Sequence, residues 1–276
     1  MQITTILKQY KIRLGFTLFL LLIEAATALL FPLFIGYAID GAINEDYSGV
    51  TQLGVLSLIA LVIGVGRRVL DSRFYAKIYQ NIGLKVISNM QDDLSSVKTA
   101  RLSMIREFVE FLENSLPELI SNIIGLAGVI VIIASLNLSV FYGSLLVTLV
   151  VFLIYWITSK RTMRLNKSSN DEWEKQVDII ATNDKQQLRV HLKEMMKWNI
   201  KLSDLEALNF SISWIALFLF LIASIVIAVG DGITAYGALF ALVMYVFQYM
   251  ENVMNLPLFY QNWLRLKEIK ERLKQF

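Results

Sequence analysis

Glu24 is the only acidic side chain in an apolar stretch that runs from residue 15 to residue 39. A charge in such a setting is costly and asks for a partner or a water-filled cavity. Arg67 and Arg68 stand where a second apolar stretch ends, and about 1.5 Å of rise per residue brings them to roughly the depth of Glu24. The pattern predicts that Glu24 pairs with Arg67 or Arg68 and faces the protein interior. Such a pair can hold helices together, or it can line a path for solutes.

Further along, Gln248, Glu251, Asn252 and Asn255 fall at i, i+3, i+4 and i+7, one polar stripe on an otherwise apolar helix. The stripe cannot face lipid cheaply, so it faces either a cavity or a partner helix. Asn122 and Ser121, in a third apolar run, can line a cavity or pack between helices. Chemistry beyond binding finds little support. The chain has one histidine, His191, and no cysteine, which excludes disulfides, thiolate metal sites and cysteine nucleophiles. The spans contain no paired aspartates, metal-ligand cluster or nucleophile–base arrangement. The expectation is a protein that is not an enzyme and holds no cofactor or metal. Trp156, Tyr155 and Trp263 read as interfacial belt residues, and Trp214 as a packing residue or a surface on which an amphipathic substrate stacks.

The elements that carry these residues follow from composition. Hydrophobic residues make up 56% of the 276, mean hydropathy is +0.56, and runs near 20 apolar residues recur. The predicted fold is all-α, a polytopic membrane protein with six transmembrane helices over residues 15–39, 51–70, 116–136, 138–159, 210–229 and 233–258. It is read as a single domain over 1–276. All 26 Lys and Arg fall into four blocks: three before the first span, eight from Arg67 to Arg106, ten from Lys160 to Lys201, and five from Arg265 to Lys274. The opposite connections carry Asp40, Glu45, Asp46 and Asp231 and no cation. Cations are retained on the cytoplasmic side, so both termini and two long helical extensions are expected there. The net charge of +3 sits beside membrane spans and implies lipid headgroups, with no nucleic-acid partner.

Local signals fill in the connections. Ile3, Ile6, Leu7, Tyr10 and Leu14, with Lys8, Lys11 and Arg13 beside them, suit either a short interfacial helix or a frayed basic end. No small-residue cleavage site follows the first span, so a cleaved signal is not expected. Pro32 and Gly36 are expected to break the first span's outer half, and residues 40–49 to form an acidic outer loop. The second span should continue past Arg68 as one helix. Ser115-Leu116-Pro117-Glu118 fits a capping box that starts a helix, or a Pro kink in a longer one. Residues 159–208 contain no Pro or Gly and should form long helices, with Met195, Trp198, Leu202 and Leu205 as a packing seam. Leu266, Ile269 and Leu273 extend the last helix past Pro257.

Several stretches resemble the membrane domain of ABC exporters, the type IV transporter fold. Phe31-Pro32-Leu33-Phe34-Ile35-Gly36-Tyr37-Ala38-Ile39-Asp40 is similar to the outer end of that family's first helix. Val109-Glu110-Phe111-Leu112-Glu113-Asn114-Ser115-Leu116-Pro117 resembles the approach to its third. Gly232-Ile233-Thr234-Ala235-Tyr236-Gly237-Ala238-Leu239 resembles the turn into its sixth, and Leu256-Pro257-Leu258 with residues 264–273 its exit. The resemblance implies a homodimer of twelve spans around a shared cavity, transporting an amphipathic small molecule. Two departures stand out. The 276 residues contain no Gly-x-x-x-x-Gly-Lys-Ser/Thr loop and no Leu-Ser-Gly-Gly-Gln signature, hence no nucleotide-binding domain. The extensions around residues 89–104 and 180–195 lack the family's usual Phe-Phe-Asp and Pro-x-Gly stretch and part of its length. A separate ABC ATPase subunit or none, and a transporter or an ATPase-less scaffold or receptor for a partner protein, both remain open at this level. A bacterial inner membrane is the expected location.

Overall fold

The computed structural model describes residues 10–88 and 95–274, with side chains followed to Leu256. Among them there is no strand. The helices are α1 (Lys11–Ile43), α2 (Ser48–Ser88), α3 (Ser95–Glu110), α4 (Leu116–Leu136), α5 (Leu138–Glu174), α6 (Gln176–Ala181), α7 (Lys185–Gly230) and α8 (Tyr236–Lys274), with a π turn at Phe111–Ser115 between α3 and α4. Six helical stretches are long and apolar enough to cross a membrane. The all-α, six-span fold expected from the sequence is therefore present. Ile3, Ile6 and Leu7 of the expected interfacial helix lie outside the described residues.

Several boundaries differ from expectation. Pro32 and Gly36 do not break the first span, because α1 runs unbroken from Lys11 to Ile43. A proline costs a helix the hydrogen bond to the carbonyl four residues back and crowds the turn before it. The carbonyl that Pro32 leaves without a donor is that of Ala28; in the same turn the Tyr245 hydroxyl, from a neighbouring helix, donates to the adjacent Leu29 carbonyl at 2.6 Å. Asp40 thus belongs to α1, and the loop expected over residues 40–49 shrinks to residues 44–47. Its Asp46 accepts from the Ser48 backbone N–H and hydroxyl, both at 2.9 Å. These bonds, the backbone one foremost, hold the Asp46 carboxyl below the usual carboxylate range. At residues 115–118 α4 begins directly on the π turn, without a break or a capping box. Ser115 is itself helical and makes no side-chain cap, so the longer-helix alternative is the one realised. The Leu116 N–H reaches back to the Phe111 carbonyl, and this widened turn accommodates the Pro117 ring. The last span begins at Tyr236 rather than residue 233, since Gly232 adopts φ +91° and reverses the chain first. α8 then continues through Pro257.

The described chain forms two compact units. One contains residues up to Asn137 together with Ala228 onward; the other is Leu138–Ile227. In the first, α1 packs on α2, α4 and α8, and α8 also packs on α4. Small residues allow the α1–α8 approach: a Cβ on Gly237 would lie 2.0 Å from the Gly36 carbonyl oxygen, and one on Gly36 would lie 2.5 Å from that of Gly237. At the same crossing Asp40 Oδ1 accepts the Gly237 N–H at 2.7 Å, satisfying a donor in the first turn of α8. Asn137 Nδ2 donates to Asp231 Oδ2 at 3.0 Å, joining the two short turns that follow α4 and α7. At the other end, Phe74, Tyr75, Ile78 and Ile82 of α2 pack with Ile105, Phe108, Val109, Phe111 and Leu112 in an apolar core, with Tyr10 and Leu14 against it.

In the second unit α5 and α7 carry apolar stretches followed, at one end, by polar helix. Asn209 Nδ2 donates to Thr158 Oγ1 at 2.9 Å, and His191 Nδ1 lies 2.8 Å from Glu172 Oε1. Met195 and Leu205 of the expected seam are buried, with Trp198 and Leu202 half-buried. Adding His191 and Asn209 to those four makes one continuous buried face of α7. Leu146, Phe152, Ile157, Ile215, Leu219 and Val226 are exposed, as suits side chains that meet lipid.

Replacing Gly237 by Ala should be among the most destabilising small changes, because its neighbour is backbone and cannot turn aside. Overpacking of this kind costs about 1–3 kcal/mol. Thermal unfolding in detergent should show the loss, whereas Gly54→Ala, with no atom within 4 Å of the new methyl, should retain the parental midpoint.

Candidate functional site

Helical spacing converges on one place in the first unit. On α1, Leu21, Glu24, Ala25 and Ala28 recur at i, i+3, i+4 and i+7. On α2, Arg67 and Asp71 are separated by four residues, with Arg68 and Ser72 beside them. The π turn and α4 bring Glu113 and Asn114, then Pro117, Glu118, Ser121 and Asn122. Together these residues line a cavity of about 640 Å³, a size typical of small-molecule sites. The π turn matters here. It changes the helical phase, so that the face burying Phe108 and Leu112 gives way to one that presents Asn114, Glu118 and Ser121 to the cavity.

At its centre the Arg67 guanidinium is gripped on two sides. Nε donates to Glu24 Oε2, and Nη1 donates to Asp71 Oδ2 at 2.8 Å. The side chains are 13% exposed for Arg67, 29% for Glu24 and 6% for Asp71. Gly64 of α2 lies beside this group, and a Cβ there would be in ordinary contact with Glu24 Oε1, at 3.5 Å. Across the cavity the Ser72 hydroxyl donates to Glu113 Oε1 at 3.1 Å. Two charged carboxylates around one guanidinium leave an excess negative charge, and Asp71 Oδ1 is buried with no hydrogen-bond partner among the described residues.

The expected pairing of Glu24 is therefore with Arg67. Arg68 is exposed and borders the cavity without pairing to Glu24. Asn122 and Ser121 do line the cavity. The stripe on α8 lies elsewhere: Asn252 rests 3.5 Å from where a Gly125 Cβ would be, Gln248 and Asn255 are half-buried, and Glu251 is exposed. The structure does not bring that stripe to the Glu24 cavity. Sequence reasoning missed Asp71, Ser72, Glu113 and Glu118. Asp71 had a signal, an opposite charge one helical turn from Arg67. Glu113 depended on the π turn, which has no comparable signature. Trp214 lies between Phe210 and Phe218, at ring separations of 5.8 and 5.0 Å, in keeping with a packing role. Trp198 carries Lys201 over its ring at 4.8 Å. Trp263 lies beyond the described side chains. Among the described residues no cluster of His, Asp or Glu could hold a metal.

Removing one member of a buried ionic group strands the others. Arg67→Met should lower unfolding stability by roughly 3–5 kcal/mol, because two carboxylates lose their shared cation. Glu24→Gln should cost less, since Asp71 still neutralises Arg67, and Arg68→Met should stay within about 0.5 kcal/mol of the parent. Denaturation of the three variants in one detergent would reveal the order.

No curated protein matches this sequence. Residues 3–257, nearly the whole chain, match the family described as the ABC transporter transmembrane region. With six membrane-spanning helices and a polar cavity among them, the chain belongs to the ABC transporter transmembrane region family.

Proposed function

We propose that two copies of this chain form an exporter-type transport domain that moves an amphipathic small molecule across a membrane. The observation that carries this reading is the charged cavity of about 640 Å³ set among helices with lipid-facing outer surfaces. Charges in such a place are retained for a path or a ligand more readily than for stability alone. Family membership supports the dimer, because one six-helix chain does not by itself enclose a whole pathway in exporters of this type. The chain itself carries no catalytic step in this reading. Its energy comes from an ABC ATPase supplied in trans, or else flux is passive or coupled to another gradient.

The cation blocks orient the protein with both termini and the polar ends of α2, α3, α5 and α7 in the cytoplasm, and the short turns at Asp46 and Asp231 outside. We place it in a bacterial inner membrane. The α8 stripe is a second candidate lining, facing the cavity shared by two copies.

With no native cysteine, single cysteines report position cleanly. Glu45→Cys should react with an impermeant thiol reagent in intact cells, and Lys185→Cys only after permeabilisation; the reverse pattern would overturn the orientation. Glu251→Cys in the purified protein should label with a water-soluble reagent if the stripe is wet. Reconstituted chain should run as a dimer by light scattering and pass an amphipathic dye, with Glu24→Gln slowing flux. A stable stoichiometric complex with a co-expressed ATPase would identify the energy source. A lone dimer that moves no solute would mark the fold as a scaffold for a partner protein.

A further inference from the structure

We propose that the polar end of the α5 span holds the phosphate of an anionic phospholipid, gripped by Lys160, Arg164 and Lys167 with Arg161 on the flank. This requires the chain to lie in a bilayer and does not depend on whether it moves a solute. Spacing is the first argument. Leu149, Leu153 and Trp156 lead along one face of α5 into Lys160, Arg164 and Lys167, at helical steps of three and four residues. All six side chains are exposed, Trp156 at 65%. A surface that suits acyl chains therefore passes directly into one that carries cations.

Depth and availability point the same way. Residues 138–157 contain no charged side chain and span about 30 Å of helix, the thickness of a hydrocarbon core. Trp156 thus falls at the headgroup level, where indole rings collect, and Lys160 to Lys167 occupy the next ~10 Å. Their long stems can reach back to phosphates, and an arginine can offer one two parallel N–H groups. These cations are not committed elsewhere. Among the described residues none of the four has an ion pair or a side-chain hydrogen bond, and α5 carries no carboxylate before Asp171. Asp204 and Glu206 of α7 are exposed and pair with none of them. Other cations differ: Arg67 serves Glu24 and Asp71, Lys197 pairs with Glu194, and Lys201 lies over Trp198.

Alternative occupants fit less well. A soluble acidic protein or a free phosphate ester would meet the charge but not the exposed apolar collar of Trp156 and Ile157 beside it. A zwitterionic lipid brings its own cation to a basic patch and gains less from it. An anionic phospholipid supplies both the phosphate and the chains that lie against the collar.

The test is native mass spectrometry of the full chain released from detergent micelles, with lipid added in steps. Dioleoyl phosphatidylglycerol should form a first adduct that saturates, roughly tenfold tighter than dioleoyl phosphatidylcholine. Lys160→Gln, Arg164→Gln and Lys167→Gln combined should weaken that adduct roughly tenfold or more. Lys185→Gln, Arg189→Gln and Lys193→Gln combined remove as many cations from exposed positions on α7, away from its apolar stretch, and should bind as the parent. Lys160→Arg with Lys167→Arg keeps the charge and should keep the affinity. Should the α5 triple variant fail to fold, Arg164→Gln alone should weaken binding by roughly two- to fivefold. Glycerophosphoglycerol, the same headgroup without acyl chains, should not displace the lipid. The inference is overturned if the two lipids bind alike, which would leave the patch to a soluble acidic partner, or if the α5 and α7 variants lose equally. It is also overturned if the free headgroup displaces the lipid, which would make this a site for a soluble phosphate ester.

Discussion

Arg67 must stay charged in a place where charge is expensive, and much of the first unit is arranged around that constraint. Its guanidinium presents donors in a planar fork, so one side chain can satisfy carboxylates approaching from different directions. Glu24 approaches from α1 and Asp71 from the next turn of α2. The three groups therefore tie the face of α1 to the face of α2 at one height, and with it the rotation of both helices. Ala25 and Ala28 flank the group on the α1 side of the cavity. A lysine would carry the charge without the fork and could not serve both carboxylates with the same geometry.

The opposite end of the unit is fixed by backbone instead of charge. Gly36 and Gly237 let α1 and α8 touch main chain to main chain, Asp40 occupies a first-turn donor of α8, and Tyr245 supports the turn disturbed by Pro32. Asn137 and Asp231 join two turns only a few residues long. In lipid, unpaired backbone groups have no water to turn to, so these side chains occupy positions that water fills in a soluble protein. One end of the unit is thus close-packed and internally bonded, while the middle, around Arg67, is hollow and charged. A cavity can persist between helices when the contacts that hold them are concentrated elsewhere along their length.

Much of this was legible from the sequence because lipid imposes a simple code. Long apolar runs gave the six spans, and the isolated Glu24 demanded a cation that only Arg67 or Arg68 could supply at that depth. The single residue Asn137 between two apolar runs required a tight turn, and the structure has one. What remained hidden depends on contacts between distant residues. Pro32 looks like a helix breaker until Tyr245 is seen against Leu29. Ser115 looks like a cap because its neighbours spell one, yet the preceding helix arrives in phase to continue through it. Glu113 and Glu118 carry no inward signal in the sequence, and the π turn brings them to the cavity.

The five residues Phe111–Ser115 act as an indexing joint in a single long rod. Each residue of an α-helix advances its successors by about 100°, so the extra residue accommodated in a π turn sets the azimuth of everything beyond it. Loss of one position there would swing Glu118, Ser121 and Asn122 a quarter-turn or more round the rod's axis, and the Phe108 side would be untouched. The inner wall of the cavity is therefore dialled in by a hydrogen-bonding irregularity whose first two residues, Phe111 and Leu112, are also seated in the apolar core that anchors the same rod.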